Sequence, residues 1–218
     1  MREDSSVALP TPLMTIAILG TGRVGSALGP AFAACGHTVV YGSREPERED
    51  VRDLVARAGP PASAALPVDA ATEAEVVVIA TPWEATEALV RSLDLDGRIV
   101  LDTTNPLAFP DLSLVVETSA GELIQAWAPG ARVVKAFSSV GADVMADADF
   151  GALRPAMWVA GADADAKATT LGLAEALGFE GIDAGGIERS RALEQMAVLW
   201  ISHASVAGRE HALAVLQR

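Results

Sequence analysis

"ILGTGRVGSALG", residues 18–29, decides how the rest of the chain reads. The apolar run "MTIAIL" (14–19) leads into Gly20, Gly22 and Gly25 in G-x-G-x-x-G spacing, and the residues that follow, 23–35, are helix-like. Gly20 permits a tight turn, Gly22 lets the backbone approach a pyrophosphate, and Gly25 lets helix and strand pack closely. Unpaired N–H groups at the start of that helix supply an anion site. A glycine pattern alone is a weak signal. Directly after a strand and directly before a helix, it becomes a specific one.

Outward from this loop the same unit recurs. Strand-like runs are "HTVVYG" (37–42), "EVVVIA" (75–80), "GRIVLD" (97–102), "ARVVKAF" (131–137), "AMWVAG" (156–161) and "FEGIDA" (179–184). Several are apolar at consecutive positions, as strands covered by helices on both faces should be. Helical segments lie between them, at 47–59, 82–93 and 119–128 among others. Strand and helix in alternation specify an α/β fold, a doubly wound, mainly parallel Rossmann sheet. After the last strand, Leu193, Met196, Ala197 and Trp200 recur at helical spacing. The expected organisation is a disordered tail over 1–13, a dinucleotide-binding domain over 14–186, and a small C-terminal helical extension over 187–218 covering the cofactor cleft.

The second strand ends in "VVYGSREPER" (39–48). In the NAD-binding form of this fold an acidic residue at that point accepts from the ribose 2′-hydroxyl. Here Ser43 and Arg44 take the place, with Arg48 one helical turn on. A hydroxyl and a guanidinium suit a 2′-phosphate dianion instead, which specifies NADP(H). The competing reading is that the arginines are solvated and paired with Glu45, Glu47 and Glu49.

Composition narrows the remaining choices. Half of the 218 residues are hydrophobic, enough for a large core, and the formal net charge of −13 argues against a nucleic-acid partner. No apolar run has transmembrane length, and "MREDSSVALPTPL" lacks the apolar core of a signal peptide. Cys35 is the one cysteine, which fits a reducing cytoplasm.

With these motifs in place, the chain from Met14 onward resembles the coenzyme F-420-dependent NADP oxidoreductase family. The resemblance rests on "GTGRVG", "GSRE" with Arg48, "TPWEA" after the third strand, and "DAGGIERSRALEQMAVLWI" near the C-terminus. "DTTNPL" and "VVKAFS" are similar to a broader group of NADP-dependent reductases, some of which act on flavin or ferric iron; Ser138 stands where that group has Asn. The resemblance implies that Thr21, Arg23 and Val24 line the pyrophosphate loop with the three glycines, while Ser43, Arg44 and Arg48 hold the 2′-phosphate. It further implies that Thr81, Pro82 and Trp83, Asn105 and Pro106, and Lys135, Ala136 and Phe137 meet the cofactor at the ends of the third, fourth and fifth strands. Trp83 could equally pack the helix start. Coenzyme F-420, a deazaflavin, is the implied co-substrate.

Hydride exchange between two stacked rings needs positioning more than acid–base groups. Lys135 is the one placed candidate acid, and it could instead hold a cofactor phosphate or ribose. Tyr41 lies toward the adenosine end. His37, His203 and His211 lack metal-ligand spacing, so no metal is expected. The competing functions are NADPH reduction of another acceptor (flavin, ferric iron, imine or carbonyl) and a non-enzymatic NADP redox sensor. The Ala- and Leu-rich C-terminal helix could serve a homodimer.

Overall fold

A computed structural model describes residues 12–216, so the expected N-terminal tail lies almost entirely outside the described residues. The strands, in chain order, are β1 (Thr15–Leu19), β2 (Thr38–Gly42), β3 (Ser63–Ala65), β4 (Val76–Ile79), β5 (Ile99–Asp102), β6 (Arg132–Lys135), β7 (Ala156–Gly161) and β8 (Glu180–Gly185). The helices are α1 (Arg23–Ala34), α2 (Glu49–Ala58), α3 (Pro67–Glu73), α4 (Trp83–Arg91), α5 (Ala120–Trp127), α6 (Ala142–Ala146), α7 (Ala164–Ala176) and α8 (Ser190–Ala207). They form one sheet in the order β3-β2-β1-β4-β5-β6-β7-β8. From β3 to β6 every neighbouring pair is parallel; β7 runs antiparallel to β6, and β8 follows β7 in parallel. The sheet is therefore mainly parallel, and its strand order reverses at β1.

The consecutive apolar residues of the strands divide between two cores. Ile16, Ile18, Val76, Val78 and Leu101 face one side with Leu28 and Phe32 of α1. Ala17, Leu19, Val77, Ile79 and Val100 face the other, with Ala70 of α3, Val90 of α4 and Ile124 of α5. This is the physical origin of the non-alternating pattern: both faces of the sheet are covered. Among the described residues no helix is long and apolar enough to cross a membrane.

Register places the functional end of the sheet. Leu19 pairs with both Gly42 and Ile79, Ile79 with Asp102, and Asp102 with Lys135. One row of residues thus runs across five strands at their carboxyl ends, with the glycine loop leaving from its middle. In open parallel sheets ligands bind at this end, beside the point of strand-order reversal.

Candidate active site

The glycine loop is tight for steric reasons. Gly20 has φ +123°, and a Cβ there would lie 2.3 Å from the Ala80 carbonyl oxygen; one on Gly25 would lie 2.0 Å from that of Gly20. At Gly22, the N-cap of α1, a Cβ would meet nothing within 4 Å. The backbone there faces open space. No side chain caps α1 and no acidic residue sits in its first turn, so its leading N–H groups and positive dipole end are open to an anion. Thr21 and Val24 are partly buried beside this opening, and Arg23 is exposed, 3.3 Å from Asp143 Oδ2.

At the end of β2 the two arginines differ. Ser43 is buried, with its Oγ accepting from the Glu45 N–H at 3.2 Å. Arg44 is exposed and makes no ion pair among the described residues. Arg48 is engaged by Asp50, Nε to Oδ1 at 2.5 Å and Nη2 to Oδ2 at 2.9 Å; this fork holds the Asp50 carboxyl below its usual range. Glu47 pairs with Arg52 at 3.6 Å. The neighbouring carboxylates thus leave Arg44 alone.

A cleft of about 320 Å³ opens where the ends of β4 and β5 meet the glycine loop. Val24, Thr81, Trp83, Asn105 and Ile201 of α8 are among its walls. Thr81 Oγ1 lies 3.1 Å from Thr86 Oγ1. Asn105 donates from Nδ2 to the Ser138 carbonyl at 2.8 Å, while its Oδ1 is buried with no hydrogen-bond partner. A buried acceptor left unmade is costly, so it suits an N–H donor brought in by a ligand. Trp83 lines the cleft and also stacks on Trp127, with ring centroids 5.4 Å apart. Pro106 is buried behind Asn105.

The third segment sits elsewhere. Phe137 is a core residue, edge-on to Phe32 and Phe179 at 6.2 and 5.9 Å, and Ala136 is buried with it. Lys135 does not reach the cleft. Its side chain is 0% exposed, with Nζ 2.9 Å from Asp102 Oδ2, 3.1 Å from Glu194 Oε1, and donating to the Thr104 carbonyl. All three ammonium protons are committed, which corrects the expectation of a proton donor or phosphate holder at this position.

Sequence reasoning missed Asp102 and Glu194. Both side chains are also 0% exposed. Burial pushes the Glu194 carboxyl above its ordinary range; Lys135 opposes this and the Asp102 charge adds to it. The only available signal was an acidic residue next to Leu193 on the apolar stripe of the last helix.

Residues 15–106 match the family model described as NADP oxidoreductase, coenzyme F-420-dependent. The chain is 31% identical over 205 residues to the F-420-dependent NADP reductase of Methanocaldococcus jannaschii, spanning 86% of this chain and 91% of that protein. It is 29% identical over 211 residues to the protein of the same name from Methanothermobacter marburgensis, spanning 87% and 92%. The crystal structure of a candidate F-420-dependent NADP reductase from Arthrobacter sp. FB24 matches with a TM-score of 0.84 and 32% identity, over 94% of this chain and all of that one. By that identity over nearly the full length, on the same fold, the chain belongs to the coenzyme F-420-dependent NADP oxidoreductase family.

Proposed function

We propose that this protein is an oxidoreductase transferring hydride between NADP(H) and coenzyme F-420. The observation that carries the reading is the chemistry of the cleft wall. Its lining is apolar, hydroxyl or amide, and Glu84, exposed at the start of α4, is the one ionisable residue in it among the described residues. A reaction that needed a positioned acid or base would be poorly served there. Hydride exchange between two conjugated rings needs neither, because the charge stays within the rings.

The residues fit NADP(H) at three points. The open backbone face at Gly22 and the uncapped N–H groups of α1 suit the pyrophosphate, within a loop formed by Gly20, Thr21, Arg23, Val24 and Gly25. Arg44, without a carboxylate partner among the described residues, and the Ser43 hydroxyl suit the 2′-phosphate, with Arg48 beside them. Thr81, Pro82, Trp83, Asn105 and Pro106 would flank the nicotinamide end, where Asn105 Oδ1 would take up an amide N–H. When bound, the nicotinamide supplies or accepts the hydride. The protein's part is to orient the two rings, with α8 closing one side of the cleft through Ile201. On the same reading the enzyme works in the reducing cytoplasm, as a homodimer in contact through the outer face of α8, where Leu199 is 63% and Val206 87% exposed.

The test is direct. Purified protein at catalytic concentration, mixed with NADPH and oxidised coenzyme F-420, should bleach the deazaflavin absorbance. Riboflavin and a ferric chelate are run beside it at matched concentrations. Turnover with either of these and none with the deazaflavin would overturn the reading, and tight NADPH binding without turnover of any acceptor would favour a sensor.

A further inference from the structure

The mechanism above leaves three buried ionic groups unused. Asp102 ends β5, Lys135 ends β6 and Glu194 lies in the second turn of α8; each side chain is 0% exposed. Burying one ammonium with two carboxylates is expensive unless each remaining lone pair and proton is used, and such a group is weak evidence of added stability. Here nearly everything it binds is at the cleft or at a helix that borders it. Asp102 Oδ1 accepts from the Thr104 N–H at 2.8 Å and from its hydroxyl at 2.7 Å, while Lys135 donates to the Thr104 carbonyl. Every polar group of Thr104, a cleft-wall residue, is thus held by the network.

The other side of the network is α8. Glu194 Oε1 lies 3.1 Å from Lys135 Nζ and accepts from the Ala120 N–H, at the start of α5, at 2.8 Å. The two helices are close-packed at this point: a Cβ on Gly121 would lie 2.4 Å from Ser190 Oγ. Two helical turns beyond Glu194, and so on the same side of α8, Ile201 forms part of the cleft wall. Thr104 on one wall and Ile201 on the other are therefore linked through one ammonium.

We propose that Glu194 is a positioning residue of the acceptor site: through Lys135 it fixes α8 against the Thr103–Asn105 wall and so sets the width of the slot that receives the flat acceptor ring. The inference rests on the hydride-transfer reading but not on F-420 being the acceptor. Glu194 touches neither cofactor nor acceptor. It acts by holding walls whose misplacement by an ångström is enough to slow a reaction that depends on ring alignment.

The decisive variants are Glu194→Leu and Glu194→Gln. Leucine removes the link while leaving Lys135 paired with Asp102, so the ammonium is not left without a counter-charge. Glutamine retains an oxygen that can accept from both Lys135 and Ala120. Sites are counted by NADPH titration, and kcat/KM for the acceptor is expressed per NADPH-binding site, so that loss of folded protein does not enter the result. Glu194→Leu should lower acceptor kcat/KM at least about tenfold, with the NADPH Kd within about twofold of wild type. Glu194→Gln should restore it to within about threefold. Ile201→Ala, at a partly exposed position outside the buried core, should show the same split between acceptor and cofactor. Unchanged acceptor kcat/KM in Glu194→Leu, an NADPH Kd that rises in parallel, or a silent Ile201→Ala would each overturn the proposal. Wild-type turnover with the deazaflavin tests the functional reading separately; should another acceptor be the one reduced, the same ratios are measured with it.

Discussion

Arg44 and Lys135 are both cations at the same end of one sheet, and the structure treats them in opposite ways. Lys135 lies on the register row that passes through Leu19 and Gly42, and Arg44 lies two residues past that row. Arg44 is exposed and has no carboxylate partner among the described residues; Lys135 is sealed and has two. The difference follows from solvation. A guanidinium in water needs no counter-ion and remains available to an incoming phosphate. An ammonium removed from water is tolerable only when it is paired and fully hydrogen-bonded, and once so paired it has nothing left to offer a ligand. Position at a strand's carboxyl end therefore does not assign a role. The surrounding counter-charges do.

The largest test of this contrast is Lys135→Met. It leaves Asp102 and Glu194 buried against each other without their cation, and should destabilise the fold by about 3–5 kcal/mol, the usual result of removing one partner from a buried ionic group. Urea unfolding at neutral pH measures it. Lost turnover with unchanged stability would return Lys135 to a chemical role and end the comparison drawn above.

Arg44→Ala probes the exposed side. NADPH affinity should fall by roughly 1.5–3 kcal/mol, about 10- to 150-fold, with NADH affinity and thermal stability unaltered. Arg48→Ala should change NADPH affinity by less than about threefold, because its guanidinium fork is already occupied by Asp50 and exposed pairs of that kind contribute little. Calorimetric titration of both variants with both cofactors separates the two arginines. An equal loss in each would mean that the Arg48–Asp50 fork opens to take the phosphate, and the contrast would need to include Arg48 on the ligand-binding side.

What the sequence made legible follows the same division. The glycine loop and the central strands are local patterns, and each lies within a few residues of where it was expected; Ser43 and Arg44 follow directly on β2. β3 escaped because Ser63–Ala65 is a three-residue edge strand without an apolar run, and α3 because its Ala-rich sequence after Pro67 shows little amphipathic contrast. Asp102 and Glu194 escaped, and with them the pairing that seals Lys135, for a stronger reason. Each is an ordinary charged residue in its own segment, and only the pairing of β5 with β6 and the docking of α8 bring them together. A buried charge has no local signature, since its meaning resides in partners contributed by distant parts of the chain.

The smallest effect to look for is in pH, where two buried groups pull in opposite directions. Burial lowers the His37 imidazole, with the Glu75 charge opposing, and its Nδ1 accepts from the Met14 N–H at 3.3 Å, which requires the neutral ring. Its contribution to stability is present above the unfolded value of about 6.5 and is lost as pH falls through the lowered folded value. Glu194 has the reverse sign. Because its folded carboxyl is raised above the ordinary range, the native state holds a proton that the unfolded chain has already released. Its contribution is therefore complete below the unfolded carboxylate value and is lost as pH rises through the folded one. Glu194→Gln removes this second dependence and leaves the first. The melting temperature of the variant relative to wild type should accordingly rise as pH is taken from the acidic side of the carboxylate range toward neutrality, and calorimetry across that interval measures it. A difference that stays constant with pH would show that burial does not raise the Glu194 carboxyl in the folded protein.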